Sequence, residues 1–547
     1  MNIHSTPAPL APLAPLASLH RRDLVKALLA ATASAALPRF ASAQTALPAN
    51  PFTLGVASGS PRHDGVVLWT RLHAFNVLGM NLVPNQAVAV QWQVAHDEGF
   101  THLVQQGNAQ ALPAFGHSVH IELQGLQPDR WYFYRFMHGS YASPVGRTRT
   151  FPAPDAMAAK LRFAYASCQR WESGFYSAYT HMLRENLDFV AFLGDYIYEY
   201  KASKGRNADV VRDLNVRLSS EGDTLADYRN RYAAYKSDPA LQAMHAHCPW
   251  ILTWDDHEVY NDYAANQGAD LSPTFMQRKA AAYQAYYENM PLRASTLIAG
   301  FDGLKTNGEL RVYGQFNAGK LANFLVLDDR QYRDKQSCPK SGRGGGNTIR
   351  AEECTDLFDP KRTLLGAAQE RWLDGALAQK AALWNVIAQQ TLVGRRNYSP
   401  SKNPEKALLQ TDNWDGYPAA RRRMTDAIQT HQVSNPVFVG GDIHQNWVGN
   451  VKADYNDARS KTIASEFCGT SISSTGGAND KIAERLANNP HFVFADAEKR
   501  GYGVVELTPK IMTTQLRVLD DVRRENAAIS TLASFTVESG RAEVVRG

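Results

Sequence analysis

The chain has 547 residues, of which 44% are apolar and 20% charged, and its formal net charge is +5. That length exceeds what one hydrophobic core serves, so two or more domains are expected, and the apolar share excludes pervasive disorder. The modest charge, with no long basic run, excludes a dedicated nucleic-acid surface.

The first element is the N-terminal stretch HRRDLVKALLAATASAALPRFASAQ. Arg21 and Arg22 precede an apolar run much shorter than a membrane span, and Ala41-Ser42-Ala43 has the form of a cleavage site. Residues 1–43 are therefore expected to be a twin-arginine-type signal, read by that export machinery and removed after Ala43. The competing reading is an amphipathic N-terminal helix. Cleavage leaves a periplasmic or secreted protein with no stable transmembrane anchor.

Residues 50–152 carry short alternating runs: VVLWTRL, AVAVQWQVA, HSVHIEL and WYFYRFMH, separated by turns such as GLQPDR. Period-two alternation with regular turns predicts a small antiparallel β-sandwich domain. It holds few clustered catalytic residue types, so an accessory role is expected.

After FPAPDAMAAK the pattern changes, and residues 160–535 read as a layered α/β catalytic domain. Five apolar runs each stop at polar or metal-binding residues: LRFAYASC, LDFVAFLGD, HCPWILTWDDHE, GKLANFLVLDDR and NPVFVGGDIH. Helical patterns around DYRNRYAAYK, QRKAAAYQAYYENMP and GAAQERWLDGAL lie between them, and VVELTPKIMTTQLRVLD predicts a terminal hairpin. Ligands of such folds collect beyond strand ends, where loops converge. GRGGGN lacks the Lys-Ser/Thr of a phosphate loop and reads as a surface loop.

Of the five cysteines, Cys338 and Cys354 flank PKSGRGGGNTIRAEE, where a disulfide would staple the loop in an oxidising compartment. Cys168, Cys248 and Cys468 form no C-x-x-C pair. Cys168 stands at a strand end, as do Asp195, Asp442 and His444. Asp255, Asp256, His257, Glu258 and Asn261 crowd another such end. Each residue alone has a structural reading as a turn cap or a packed ring. Together they point to a multinuclear metal site, unlike a closed Cys/His zinc site or an EF-hand. Tyr198 follows Asp195 by three residues, so carboxylate and phenolate can reach one hard cation.

The stretches SCQRWESG, GDYIYEY, WDDHEV with Asn261, LDDRQYRD and GGDIH resemble the PhoD-type alkaline phosphatase/phosphodiesterase family, as does FTLGVASGSP near the start. The resemblance runs from about Phe52 to near the C-terminus. It implies a metallophosphoesterase-like core with a small N-terminal domain, export by the twin-arginine route, and Fe3+ with Ca2+, one iron and two calcium ions. It further implies Cys168, Asp195 and Tyr198 as iron ligands, with Asp195 bridging, and Asn261, Asp442 and His444 as the calcium-side set. Tyr196 stands where family members often carry an arginine, so an altered phosphate contact is expected there.

The function this implies is alkaline phosphatase: hydrolysis of phosphate monoesters, and of diesters, by direct attack of metal-activated oxygen without a phosphorylated protein intermediate. Arg330 is the favoured phosphate clamp, against a salt bridge to Asp328 or Asp329; Arg170 is a second clamp candidate. His257 is read as an acid–base residue or as the orienter of a ligating carboxylate. Trp171, Phe175, Tyr176 and Trp447 are candidates for a substrate wall or for plain packing. The alternatives are a secreted phosphodiesterase or phospholipase D-like hydrolase, and, outside the hydrolases, a metal-dependent surface-binding protein. The serines between 471 and 476 offer hydroxyls, but no G-x-S-x-G accompanies them.

Overall fold

Apolar runs rich in aromatic and β-branched residues build two large sheets that pack face to face. The protein is described by a computed structural model for residues 47–74, 81–202, 210–212, 216–297, 309–399, 403–457 and 459–547. The signal expected at 1–43 lies outside these residues. Among the described residues no helix is long and apolar enough to cross a membrane.

The first sheet has ten strands. Its centre is three parallel strands, Leu161–Ala166, Phe189–Leu193 and Trp250–Thr253. The expected hairpin, Arg500–Leu507 with Ile511–Leu519, pairs antiparallel along one side. The second sheet has seven strands, with Ala322–Val326, Trp384–Ala388, Pro436–Gly440 and Thr462–Cys468 mutually parallel. Parallel strands covered on both faces need unbroken apolar runs; Phe189–Leu193, Trp250–Thr253, Trp384–Ala388 and Pro436–Gly440 are buried at every position. Between the sheets Phe163, Phe189 and Phe324 form a ring cluster with centroids 5.0–5.2 Å apart.

Helices close the outer faces. Leu225–Tyr235, Pro239–His247 and Phe275–Asn289 cover the first sheet, and Gly366–Ala378 and Pro418–Thr430 cover the second. This is the layered α/β architecture the strand-end pattern predicted. Trp384–Ala388 was missing from that pattern because it ends in Gln389-Gln390-Thr391, with no charged residue to mark it.

The alternating runs near the N-terminus form strands in two layers. Val88–Ala95 and Trp131–His138 belong to a five-stranded sheet, while Gly65–Arg71 and Ser118–Glu122 continue the ten-stranded one. Val56–Arg62 joins them to the parallel centre of that sheet by pairing parallel with Trp250–Thr253. One apolar core, including Val66, Leu68, Val90, Val94, Tyr134 and Phe136, fills the gap between these layers. The strand Leu103–Ala111 has no alternating apolar pattern because it is an edge strand with little to bury. Cys338 and Cys354 are bonded, closing the loop around Gly342–Gly346 across 6.1 Å between Cα atoms.

Candidate metal centre

The C-terminal ends of the parallel strands from both sheets open onto one place, and the chain leaves them in an uncommon conformation. Cys168, Asp195, Asp442 and His444 all have left-handed backbones, with φ of 59°, 56°, 65° and 53°. Such a conformation costs a non-glycine residue roughly 1–2 kcal/mol and persists where surrounding contacts enforce it, often at functional sites. The preceding glycines make the turns possible. A Cβ on Gly194, itself at φ 107°, would lie 2.5 Å from Asp255 Cβ, and one on Gly441 would lie 2.2 Å from Ser167 Oγ. Glu258 locks the arrangement from beneath, accepting the backbone N–H groups of Asp195, Tyr196 and Asp255.

Three groups of donors result. The ligand atoms of Cys168, Asp195 and His444 lie within 4.8 Å of one another, as do those of Asp195, Asp256 and His257 and those of Asp256, Asp262 and Asp412. Tyr198 joins the first group: its hydroxyl is 2.9 Å from Asp195 Oδ2 and 3.1 Å from His444 Nε2. His444 therefore groups with Cys168, Asp195 and Tyr198, where it was expected with Asn261 and Asp442. Its Nδ1 meets the Thr475 carbonyl at 2.8 Å, which leaves Nε2 for the centre. Burial and the nearby Arg500 charge pull this imidazole down to about 3, so it is neutral.

Asp442 reaches the centre differently. Its Oδ2 accepts from the Thr391 hydroxyl at 2.6 Å and its Oδ1 is 4.0 Å from Arg330 Nη2. Asn261 is on the loop after Trp250–Thr253, half-buried, with its N–H on Glu199 at 2.9 Å. Glu199 also meets His257 Nδ1 at 2.7 Å. The His257 ring packs over Tyr198, centroids 4.1 Å apart. Against its burial, Glu199, Asp195 and Asp256 hold the His257 imidazolium well above its usual range.

Arg330 is the clearest correction. Its side chain is fully buried and spent on carboxylates: Nε on Asp255, Nη1 on Asp412 at 2.7 Å, and Nη2 3.7 Å from Asp256. The reason is topological. Asp255 and Asp412 come from separate loops that enclose the end of the Ala322–Val326 strand and hold Nε and Nη1, while Nη2 faces Asp256 and Asp442 without a hydrogen-bond partner. The salt-bridge reading was right in kind, but its partners are these two and not Asp328 or Asp329. Tyr196 is corrected as well. Its ring is buried with Phe192 and Tyr232 and its hydroxyl meets His245 Nε2 at 2.8 Å, so the residue at 196 faces the core under the first sheet. Tyr176 and Trp447 are buried too and form no open wall. Arg170, by contrast, keeps some exposure: it pairs with Glu172 at 2.8 Å and its guanidinium carbon is 5.9 Å and 5.6 Å from the ring centroids of Tyr198 and Tyr200.

The donor set fits cations. Asp195 Oδ1, Asp255 Oδ2, Asp256 Oδ1 and both oxygens of Asp329 are buried without a hydrogen-bond partner. Burial pushes the carboxyls of Asp195 and Asp255 well up and that of Asp442 up to about 6. Unpaired buried carboxylate oxygens are costly unless a cation meets them. Asp256 and Asp412 were not singled out from sequence as ligands. Asp256 is one of several crowded acids in WDDHE, with nothing local to say which of them turns to the centre, and Asp412 lies in a loop after the short strand Leu408–Gln410 that no motif marks.

Known proteins share this frame. Residues 163–516 match the PhoD-like phosphatase family and residues 38–152 match its N-terminal domain. The chain is 46% identical over 496 residues to a protein named alkaline phosphatase D from Bacillus subtilis (strain 168), covering 89% of this chain and 81% of that one. A solved structure of PhoD is similar with a TM-score of 0.83 and 43% identity, over 93% of each chain. The purple acid phosphatase PPD1 of yellow lupin (Lupinus luteus) seeds shares the fold, with a TM-score of 0.51 and 11% identity over 88% of this chain and 73% of that one.

Proposed function

The chain belongs to the PhoD-like phosphatase family, and from that membership we propose that its centre holds one ferric and two calcium ions and hydrolyses phosphate monoesters, with diesters as a second substrate class. The protein is a metal-dependent phosphoric-ester hydrolase, which leaves the surface-binding alternative without support. The observation that carries the finer reading is the convergence of a buried thiol, a phenol, a neutral imidazole and the carboxylates of Asp195 and Asp256, each with one unpartnered oxygen.

Cys168, Asp195, Tyr198 and His444 would hold the ferric ion: thiolate, carboxylate and phenolate offset its charge. Asp195, Asn261 and Asp442, with Asp256 beside them, would hold calcium through oxygen donors. When bound, these cations supply Lewis-acid charge to the phosphoryl oxygens and lower the pKa of water. The remaining steps fall to side chains. Arg170, held near the Tyr198 and Tyr200 rings, would meet phosphoryl oxygens. His257 has Nδ1 fixed by Glu199, which leaves Nε2 to carry a proton to or from a reacting oxygen. The serines at 471, 473 and 474 are buried and hydrogen-bonded to groups around the centre, and offer no nucleophile.

The test is a pair of initial rates on matched phosphate mono- and diesters at alkaline pH with calcium present. Faster monoester turnover is the expected result; faster diester turnover would make the protein a phosphodiesterase, and turnover of neither would sink both readings. Calcium dependence should also change with pH. In the cation-free protein burial raises the carboxyls of Asp442 to about 6 and of Asp262 and Asp329 to about 7. Above pH 7 they are ionised and ready; below it a cation must displace protons. The calcium needed for half-maximal rate is therefore expected to rise about tenfold or more from pH 8 to pH 6. A requirement that stays flat across that range would contradict it.

We propose further that residues 1–43 direct export by the twin-arginine route, that 50–152 form an accessory domain beside a catalytic domain at 160–535, and that the mature protein works in the periplasm or outside the cell.

A further inference from the structure

The serine-rich stretch GTSISSTGG, which offers no catalytic nucleophile, wraps onto the centre from the end of the Thr462–Cys468 strand. Its backbone and hydroxyls are spent on the residues around the donors. Ile472 N–H donates to the Ser167 carbonyl at 2.9 Å, and the Ser473 and Ser474 N–H groups approach the Cys168 carbonyl at 3.3 and 3.2 Å. The Ser473 hydroxyl donates to the Arg170 carbonyl at 2.8 Å. The Thr475 carbonyl takes His444 Nδ1, and Arg500 ties the stretch down with Nη1 contacts to the His444 carbonyl, Ser471 Oγ and the Ser474 carbonyl at 2.8, 2.8 and 3.1 Å.

Ser474 is the hub of this contact. Its Oγ is 2.8 Å from the Tyr198 hydroxyl oxygen, 2.8 Å from the Cys168 carbonyl, and accepts the Arg170 N–H at 3.1 Å. The side chain is buried, 1% exposed, so water does not compete for these bonds. A serine hydroxyl has one proton and two lone pairs. With the Arg170 N–H on a lone pair, its single proton is directed to either the Cys168 carbonyl or the Tyr198 oxygen. A phenolate oxygen on a cation carries no proton of its own and is the stronger acceptor of the two.

We infer that Ser474 is a positioning residue for the metal centre: it donates a hydrogen bond to the Tyr198 oxygen and fixes Tyr198 against Cys168 and His444. This rests on reading those three residues as ligands of the ferric ion. Groups that orient ligands in this way typically change cation retention or activity 10–100-fold when removed. They also tune the ligand electronically. A hydrogen bond to a phenolate lowers the energy of its donor electrons, so losing the bond moves a phenolate-to-iron absorption band to longer wavelength.

The experiment compares the iron- and calcium-loaded wild type with Ser474→Ala and Ser474→Thr. Ser474→Ala is expected to shift the visible band to longer wavelength and to lower kcat 10–100-fold with little change in KM, and Ser474→Thr, which restores the hydroxyl, to return both toward wild type. A band unmoved in Ser474→Ala would overturn the inference, because a purely structural serine does not alter the absorption of the centre. If loaded wild type shows no visible band, the ferric reading fails, and a crystal structure of Ser474→Ala then decides the positioning role. A Tyr198 oxygen displaced from Asp195 and His444 supports it, and an undisplaced one overturns it.

Discussion

Arg330→Met should lower the stability of the folded protein by about 3–5 kcal/mol, the loss typical of breaking a buried ion pair from one side. The guanidinium is in contact with Asp255 and Asp412 and within 4.0 Å of Asp256 and Asp442, so one positive charge offsets four buried carboxylates. It is what holds Asp256 below the usual carboxylate range, with His257, against the opposing effect of burial. Methionine keeps much of the length of the side chain but none of the charge, and Arg333, which shares Asp412 at 2.9 Å, reaches only part of the cluster. A urea titration of wild type and variant reads the effect as a fall in the unfolding midpoint. A structural hub also predicts what remains intact: the folded fraction of the variant should keep its inhibition by phosphate within a few-fold. Stability within about 1 kcal/mol of wild type, together with much weaker phosphate inhibition, would return Arg330 to the clamp role suggested by its sequence context.

The ion-pair partners of Arg330 show where the sequence is legible and where it is not. An apolar run followed by Cys, Asp or His is visible because the same run must be buried on both faces and then stop at solvent or a site. That rule found the ends of Leu161–Ala166, Phe189–Leu193, Trp250–Thr253, Ala322–Val326 and Pro436–Gly440, and with them Cys168, Asp195 and Asp442. It could not find Trp384–Ala388, whose end carries amides, although Thr391 beyond it bonds Asp442. Nor could it say which way a side chain turns once the strand has ended. The left-handed backbones at Asp442 and His444 carry the chain from the Arg330 side to the Tyr198 side within three residues, and no local propensity announces that. Asp412 and Ser474 come from loops without a periodic pattern, and their roles are defined by partners far off in sequence: Arg330 and Arg333 for the first, and Tyr198 and Cys168 for the second.

Asp195→Asn should separate function from stability more sharply than any other change. Asp195 is shared by two of the three donor groups, so its loss affects both. The asparagine has nearly the same shape and can still accept from the Tyr198 hydroxyl, yet it brings no negative charge to a shared cation. Turnover is expected to fall by about 10³-fold or more, a scale seen when a group that stabilises developing charge is removed, and cation content per protein should fall with it. The cation-free fold should behave in the opposite way. Asp195 is buried beside Asp256, Glu258 and Asp442, its Oδ1 has no partner, and its carboxyl is pushed well up, first by burial, with only His257 among its strongest influences pulling it down. A group in that position opposes folding when no cation is present, so Asp195→Asn is expected to raise the stability of the chelated protein by about 1–2 kcal/mol. Denaturant titration of chelated wild type and variant measures this directly. A variant that lost stability along with activity would mark Asp195 as a structural cap at a strand end. One that gains stability while losing cations and turnover is what a site built to hold metal requires: the fold tolerates an unfavourable cluster of carboxylates because the cations that meet them carry the function.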